Sequence, residues 1–330
     1  MDPNVSGRQT IVIAILYNET RDKVLLSRRR SDAHQGGVWE FPGGKSSPGE
    51  TPGRTLAREL AEELDITIVD AHPLTTFNFD YPDRKLRIVV RVADNWSGTV
   101  RAKEGQPLEW VPLDELHSKE MPSANQVIKK MISLPPLYLI TPDVGFYDQD
   151  FLSRIEAFLH NGLKLLQFRS RKSPFREHED LVRELANQCK HYACRLLYNG
   201  SAEQAASLGA DGVHLSSARL MDLSARPLPP ENWVAASCHD RRELEHAVGI
   251  GADFCVLSSV HESSSHPGAD VLGWQKFRTL AESSTIPVYA LGGVKPGDIL
   301  EARNNGAHGL AMISGIWDAT DPVSIIKRTV

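Results

Sequence analysis

The chain has 330 residues, a formal net charge of −5, 41% hydrophobic and 24% charged side chains. That length suits two domains with separate apolar cores, and the near-balanced charge gives no broad field to draw nucleic acid or an anionic membrane. No apolar run is long enough to span a bilayer, and MDPNVSGRQT lacks the basic and apolar regions of a signal peptide, which together predict a cytoplasmic protein.

In chain order, residues 8–18 (RQTIVIAILYN) predict a strand and 23–29 (KVLLSRR) its hairpin partner across a polar NETRD loop. A glycine turn at Gly43–Gly44 leads to a helix over about 53–64. A strand follows at 86–96, then a strand at 107–116 running into a helix start, then a short helix at 123–132 with Val127 and Met131 on its apolar face. Pro135–Pro136 cannot continue that helix and marks a boundary, dividing the chain into domains 1–133 and 134–330. Eight short apolar runs come after it, at 137–141, 164–170, 195–199, 212–216, 233–237, 253–259, 287–293 and 309–314. Helical patterns such as 180–193, 241–251 and 272–283 lie between them, so the rhythm predicts a (β/α)8 TIM barrel, with a doubly wound open sheet as the alternative. Cys189, Cys194, Cys238 and Cys255 make no CxxC pair and complete no zinc site, so reduced thiols are expected.

The helix at 53–64 carries Glu59, Glu62 and Glu63 at i, i+3, i+4, on one face, where like charges repel. A solvated face with an Arg58–Glu62 pair would account for the helix alone. The flanks add Gly43, Gly44 and Glu50, giving Gly44-x5-Glu50-x7-Arg58-Glu59-Leu60-x-Glu62-Glu63-x-Asp65-Ile66. This pattern resembles the Nudix box, with Asp65 at a position where the family has glycine. Asp tolerates left-handed backbone, so an ordinary turn is expected there. The resemblance implies an α/β/α sandwich with a mixed sheet. It also implies Mg²⁺, with Mn²⁺ as a substitute, at a hard-oxygen site that chelates phosphate.

Over about 9–132 the resemblance is to the MutT branch of that family, on RRRSDAHQGGVWEFPGGK, FDYPDRKLRIVV, KEGQPLEWVPLDEL and PSANQVI. It implies metal ligation by Glu59, Glu62, Glu63 and the Gly43 carbonyl, with Glu104 as a further ligand or base. The choice of base stays open between Glu59 and Glu104. It further implies nucleotide contacts from Arg29 and Arg84, base packing by Phe41 and purine reading by the Asn125 amide, which offers a donor beside an acceptor. By spacing alone, Ser123 or Asn125 reads as the cap of the helix that follows.

The second half, about 137–325, resembles the thiamine phosphate synthase/TenI family on LYLITP, LLQFRSR, LLYNGSAEQAASLGADGVHLSS, GADFCVLSSV and IPVYALGGV. It departs where synthases carry metal carboxylates: Asn199-Gly200 replaces an Asn-Asp pair, and Ser216-Ser217-Ala218-Arg219 replaces an acidic ligand. The basic residue of the sixth-strand loop is missing unless His266 substitutes. Barrel chemistry sits at the C-terminal strand ends. There Gly292, Gly293 and Gly315 either present amides to a phosphate or simply permit tight turns, and Arg169 and Arg171 add positive charge. His239 stands where TenI-like tautomerases transfer a proton; a hydrogen-bonded structural histidine is the other reading.

The expectation is therefore a Mg²⁺-dependent pyrophosphohydrolase converting 8-oxo-dGTP to 8-oxo-dGMP and pyrophosphate, acting in nucleotide-pool sanitation. The alternative is a hydrolase of thiamine-pathway pyrophosphates. In it the barrel binds a thiazole or thiamine phosphate, as a tautomerase or a sensor. The partners are small molecules rather than nucleic acid or membrane, and the sequence leaves the oligomeric state open.

Overall fold

The computed structural model describes residues 7–31, 35–143, 149–170, 175–262 and 270–329, and divides into two compact units, Met1–Ser133 and Leu134–Val330. Arg171 and His266 lie outside the described residues.

The first unit runs β1 (Gln9–Leu16), β2 (Lys23–Arg28), β3 (Trp39–Glu40), β4 (Gly43–Lys45), α1 (Pro52–Leu64), β5 (Thr67–Asp80), β6 (Lys85–Ser97), β7 (Leu108–Pro112) and α2 (Ser123–Ile132). A four-stranded mixed sheet has the order β4-β1-β6-β5, and a three-stranded antiparallel sheet has the order β3-β2-β7. Because side chains alternate along a strand, β1 serves two cores. Val12, Ala14 and Leu16 pack with Leu56, Leu60 and Leu64 of α1. Ile13 and Ile15 pack with Ile128 and Met131 of α2 on the opposite face. Helices thus cover both faces of the sheet.

Three local expectations are corrected. β1 and β2 are not hairpin partners: β1 pairs with β4 on one edge and β6 on the other, so no edge remains for β2 beyond one Tyr17–Val24 bridge. Gly43–Gly44 is not a turn but the start of a strand, with Gly43 opposite Ile13. A Cβ on Gly43 would stand 2.2 Å from the Val12 carbonyl oxygen, so only glycine fits this close approach. The buried face of α2 is Ala124, Asn125, Ile128 and Met131, with Val127 half-buried.

The second unit is a closed barrel of eight parallel strands, bearing out the barrel reading over the open sheet. Its strands are β8 (Leu137–Ile140), β9 (Leu165–Phe168), β10 (Arg195–Asn199), β11 (Gly212–Leu215), β12 (Trp233–Cys238), β13 (Phe254–Leu257), β14 (Val288–Ala290) and β15 (Gly309–Met312). The connecting helices are α3 (Gln149–His160), α4 (Phe175–His191), α5 (Ala202–Ser207), α6 (Ser217–Met221), α7 (Arg241–Gly249), α8 (Gly273–Ala281) and α9 (Ile299–Asn304), followed by α10 (Ser314–Trp317) and α11 (Pro322–Thr329). Outward residues such as Leu166, Leu196, Val213 and Leu257 pack under the helices. The interior is filled by Tyr138, Phe254 and Tyr289, whose ring centroids lie 5.2–5.8 Å apart, so the barrel is a packed core and not a pore. All four cysteines are free and buried.

α1 begins at Thr51, whose side chain accepts the Arg54 N–H, with Pro52 in its first turn. It ends at Asp65, which is left-handed at φ 60, ψ 32 and returns its N–H to the Leu60 carbonyl. The turn is therefore the ordinary one, made without glycine. Left-handed backbone costs an L residue about 1–2 kcal/mol, while glycine loses about 0.4–1 kcal/mol through the unfolded chain. Asp65→Gly should therefore stabilise the first unit by roughly 0.5–1 kcal/mol. Urea unfolding followed by tryptophan fluorescence measures it; a destabilised variant would mean that the Asp65 side chain, 3.5 Å from the Lys103 ammonium, matters more than its backbone.

Candidate functional site

In the first unit, a single guanidinium organises the acidic helix. Arg58 donates to Glu50 at 3.0 and 3.1 Å, to Glu59 at 3.0 Å, to Glu62 at 3.2 Å and to the Lys45 carbonyl at 3.0 Å. This pairing, helped by the Ser47 amide and Thr55, holds the Glu50 carboxyl down at about 2. Glu59 is packed against β4: a Cβ on Gly44 would fall 2.3 Å from its carboxyl carbon. Glu62 points outward and is 57% exposed.

Glu63 is different. Burial pushes its carboxyl up to about 8, with the charges of Glu59, Glu40 and Glu104 adding to the rise against the opposing Gly43 N–H. Glu104 is carried by a loop stitched to the C-terminal end of α1. Arg101 N–H bonds the Leu64 carbonyl at 2.9 Å, and Lys103 N–H and the Gln106 amide bond the Glu63 carbonyl at 3.1 and 2.9 Å. These bonds satisfy carbonyls that a helix end leaves unpaired. Among the described residues no three His, Cys, Asp or Glu side chains already converge as a metal site. The chemistry of the donors suits a hard divalent cation: Glu63 is buried within the field of the Glu59, Glu40 and Glu104 carboxylates, and a cation bound there would offset their repulsion. Gly43 meets Glu63 here through its N–H, 3.4 Å from Oε2.

Next to this cluster is a cavity of about 220 Å³, lined by Arg29, Glu40, Phe41, Gly43, Gly44, Tyr81, Arg84 and Asn125 among others. The four residues expected to hold a nucleotide are thus gathered in one place. Their pairing was not legible in the sequence. Arg29 is ion-paired with Glu40, whose carboxyl burial pushes up and Arg29 pulls back. Arg84 is paired with Asp83 at 2.7 Å. Asn125 caps nothing: Pro122 holds the cap position of α2 without a side-chain bond, and Asn125 Oδ1 accepts the Phe41 N–H at 3.0 Å. The helix N-terminus is held instead by the Tyr81 hydroxyl, which accepts the Ala124 N–H at 3.1 Å. Glu40 and Tyr81 are the residues that sequence reasoning missed; their only signal was their place beside Phe41 and Arg84.

In the second unit, a cavity of about 590 Å³ opens at the C-terminal ends of the strands. Arg169, His239, Gly292, Gly293 and Gly315 all line it, as do Arg219 and His214, and among its described lining residues none is Asp or Glu. Gly292 and Gly293 adopt φ 98 and 65, and a Cβ on either would strike Ser259 or the Glu262 carbonyl, so the tight-turn requirement is met in full. The missing acid at Gly200 is a packed feature: a Cβ there would lie 2.1 Å from the Tyr198 ring.

A chain of hydrogen-bonded polar side chains, four of its five members in the cavity lining, crosses the strands. Asn199 donates to Gln167 at 3.0 Å, and Gln167 to the Tyr138 hydroxyl at 3.0 Å. Tyr138 meets His214 Nδ1 at 3.1 Å, and His214 Nε2 meets Ser237 at 2.8 Å. Since Gln167 donates to Tyr138, the phenol proton goes to Nδ1, and Nε2–H donates onward to Ser237. Five strands each contribute one polar residue, which the sequence displays only as single interruptions in apolar runs. Burial, then the nearby Arg169 charge, depresses His214 to about 3.

The residues 137–316 match the family model described as thiamine monophosphate synthase, and 7–132 match the NUDIX domain model. The chain is 36% identical over 183 residues to a putative thiamine-phosphate synthase 2 of Aquifex aeolicus, covering 56% of this chain and 98% of that protein. Among solved structures it is similar to MutT of Aliivibrio salmonicida and Vibrio cholerae at 32% identity, TM-score 0.35, covering 38% of this chain and 96% of that one. It is also similar to a thiamine phosphate pyrophosphorylase of Pyrococcus furiosus at 25% identity, TM-score 0.49, covering 58% and 92%.

The buried imidazole sets a pH dependence. His214 has a folded pKa near 3 against an ordinary 6.5, so the folded state binds fewer protons between these values. Its contribution is complete above about 6.5 and is lost as pH falls toward about 3. Acid unfolding of the barrel, followed by circular dichroism, should therefore be shallower in His214→Gln than in the wild type over that window. Equal slopes would show that His214 does not titrate with unfolding.

Proposed function

Since the chain belongs to the thiamine monophosphate synthase family and carries a Nudix hydrolase domain ahead of that barrel, we propose that it is a Mg²⁺-dependent nucleoside triphosphate pyrophosphohydrolase acting on 8-oxo-dGTP. The products are 8-oxo-dGMP and pyrophosphate, one water being consumed, and the role is sanitation of the nucleotide pool in the cytoplasm. One observation carries the reading: a cavity lined by Arg29, Phe41, Arg84 and Asn125 adjoins the crowded carboxylates around Glu63.

The residues divide the work. Glu59, Glu63 and Glu104 are the side chains that would hold magnesium, with Glu62 behind them on the exposed side. Bound there, magnesium offsets phosphate charge and makes water more acidic. Arg29 and Arg84 supply positive charge for the phosphates, each already oriented by an acidic neighbour. Glu59, fixed by Arg58 and packed on Gly44, is the carboxylate best placed to accept a proton from attacking water. With Oδ1 engaged by Phe41, Asn125 turns its Nδ2 donor to the ligand. A base acceptor, such as a purine 6-oxo group, fits that donor where a 6-amino group does not.

A second reading concerns the barrel. Its cavity, basic and without Asp or Glu among its described lining residues, suits a phosphorylated small molecule such as a thiazole phosphate, with His239 transferring a proton and no metal needed. Conversion of a thiazole phosphate tautomer in the presence of EDTA, lost in His239→Asn, would support it. Thiamine phosphate formation that requires Mg²⁺ would defeat it.

Two outcomes are expected at the hydrolase site. Glu63→Gln should lower hydrolysis on the order of a hundredfold or more and remove most of the thermal upshift that Mg²⁺ gives the wild type. Wild-type turnover in saturating Mg²⁺ would exclude Glu63 from the metal site. Asn125→Asp keeps an acceptor for the Phe41 N–H but offers no donor. It should cost roughly 1–3 kcal/mol of preference for 8-oxo-dGTP over adenine nucleotides, measured as a ratio of kcat/KM values. An unchanged ratio would leave Asn125 a structural tie to Phe41.

A further inference from the structure

At the mouth of the barrel, Glu243 of α7 gathers three donors. Its Oε1 accepts the Ser217 hydroxyl, and its Oε2 accepts the His239 backbone N–H at 2.7 Å and faces His239 Nδ1 at 2.9 Å. The carboxylate is well shielded, 16% exposed, while the imidazole it holds is 54% exposed. Its own N–H donates to Asp240, so the helix start fixes the backbone that carries it. Both Ser217 and His239 line the large cavity, whereas Glu243 stands behind them.

An oxygen that already accepts a backbone N–H faces Nδ1 as an acceptor, so the proton between them belongs to the ring. A neutral imidazole carries one N–H only. If Nδ1 keeps it, Nε2 is a bare lone pair on the ring that lines the cavity. Free imidazole side chains in water favour the opposite tautomer, with the proton on Nε2. A carboxylate behind a histidine selects the tautomer and orientation in this way at many proton-transfer sites.

We propose that Glu243 is a positioning residue that fixes His239 in the Nδ1–H tautomer, presenting Nε2 to the barrel cavity as a proton acceptor for a phosphorylated ligand. The proposal deepens the second reading of the barrel and rests on it for the ligand alone. The step is a proton shift: a C–H or N–H bond of the ligand breaks as Nε2–H forms, its electron pair moves into the ligand's conjugated system with migration of the double bond, and Nε2 returns the proton to the other end of that system, leaving the ring neutral as before. Helix capping by itself would explain the bond to the His239 N–H, but would place no requirement on the ring.

The test reads the ring directly. Full-length protein labelled with ¹⁵N in histidine is observed by long-range ¹H–¹⁵N NMR at about pH 8, where an ordinary imidazole is neutral. The wild type should show His239 protonated at Nδ1. Glu243→Ala should move most of the population to Nε2–H, Glu243→Gln should retain Nδ1–H through its amide oxygen, and Ser217→Ala should change nothing. Circular dichroism and the dispersion of the barrel's amide resonances serve as the control that each variant is folded. An Nε2–H wild type, or a tautomer indifferent to Glu243→Ala, would overturn the proposal. A thiazole phosphate tautomer assay separates the two ideas. If conversion occurs, Glu243→Ala should lower kcat roughly tenfold or more with KM little changed, and a KM effect alone would count against positioning. If the wild type converts nothing, the ligand reading falls and the NMR result still decides the role of Glu243.

Discussion

The first unit depends on the Arg58 guanidinium. A helix with Glu59, Glu62 and Glu63 on one face is destabilised by its own charges, and a site that concentrates acid cannot relieve this with water once Glu63 is buried. Arg58 spends its donors on Glu50, Glu59, Glu62 and the Lys45 carbonyl, which ties α1 to the segment just after β4. A planar fork of five donors can satisfy such a set; a lysine, with a compact ammonium, cannot. The consequence is selective. Glu50, Glu59 and Glu62 are compensated, and Glu63 is left to the repulsion of its neighbours. Arg58 thus compensates the acids that flank Glu63, while Glu63 itself has only the Gly43 N–H and, among the described residues, no cationic partner.

That selectivity explains what could be read in advance. The box residues lie within one helix and its flanks, so their spacing alone places Glu59, Glu62 and Glu63 together. Asp65 was legible as a turn because left-handed backbone is a local property. β5 was not, since its polar TIVDAHPLTTFNFD run contains Pro73 and its pairing with β6 slips at three places. The expected β1–β2 hairpin failed for a different reason. Adjacency in sequence favours pairing, but β4 and β6 had already claimed both edges of β1. Asn125 shows the limit most clearly. Its partner Phe41 is 84 positions away, so whether the amide capped a helix, read a base or held a backbone was a tertiary fact.

The barrel was legible as a rhythm of apolar runs because eight strands buried on both sides leave that trace. Its polar layer was not. Gln167, Asn199, His214 and Ser237 each look like a lone interruption until closure brings five strands around one axis. The loss of the acid at Gly200 was visible as a substitution, but the Tyr198 ring standing in its place was not. That ring changes the meaning of the difference: a side chain at Gly200 would require the Tyr198 ring to repack.

The two units therefore treat charge in opposite ways. One sets a buried carboxyl among like charges that, with burial, push it up to about 8. The other has no carboxylate among the described residues that line its cavity, lines it with Arg169 and Arg219, and places Glu243 behind a histidine rather than in front of it. A carboxylate in the lining would compete with an anionic ligand and attract metal; the same group one layer back repels little and can direct a proton. The difference between the two sites is thus one of depth as much as of composition. The first buries its uncompensated acid against Gly43 of the cavity lining, and the second keeps its acid behind the histidine that lines the cavity.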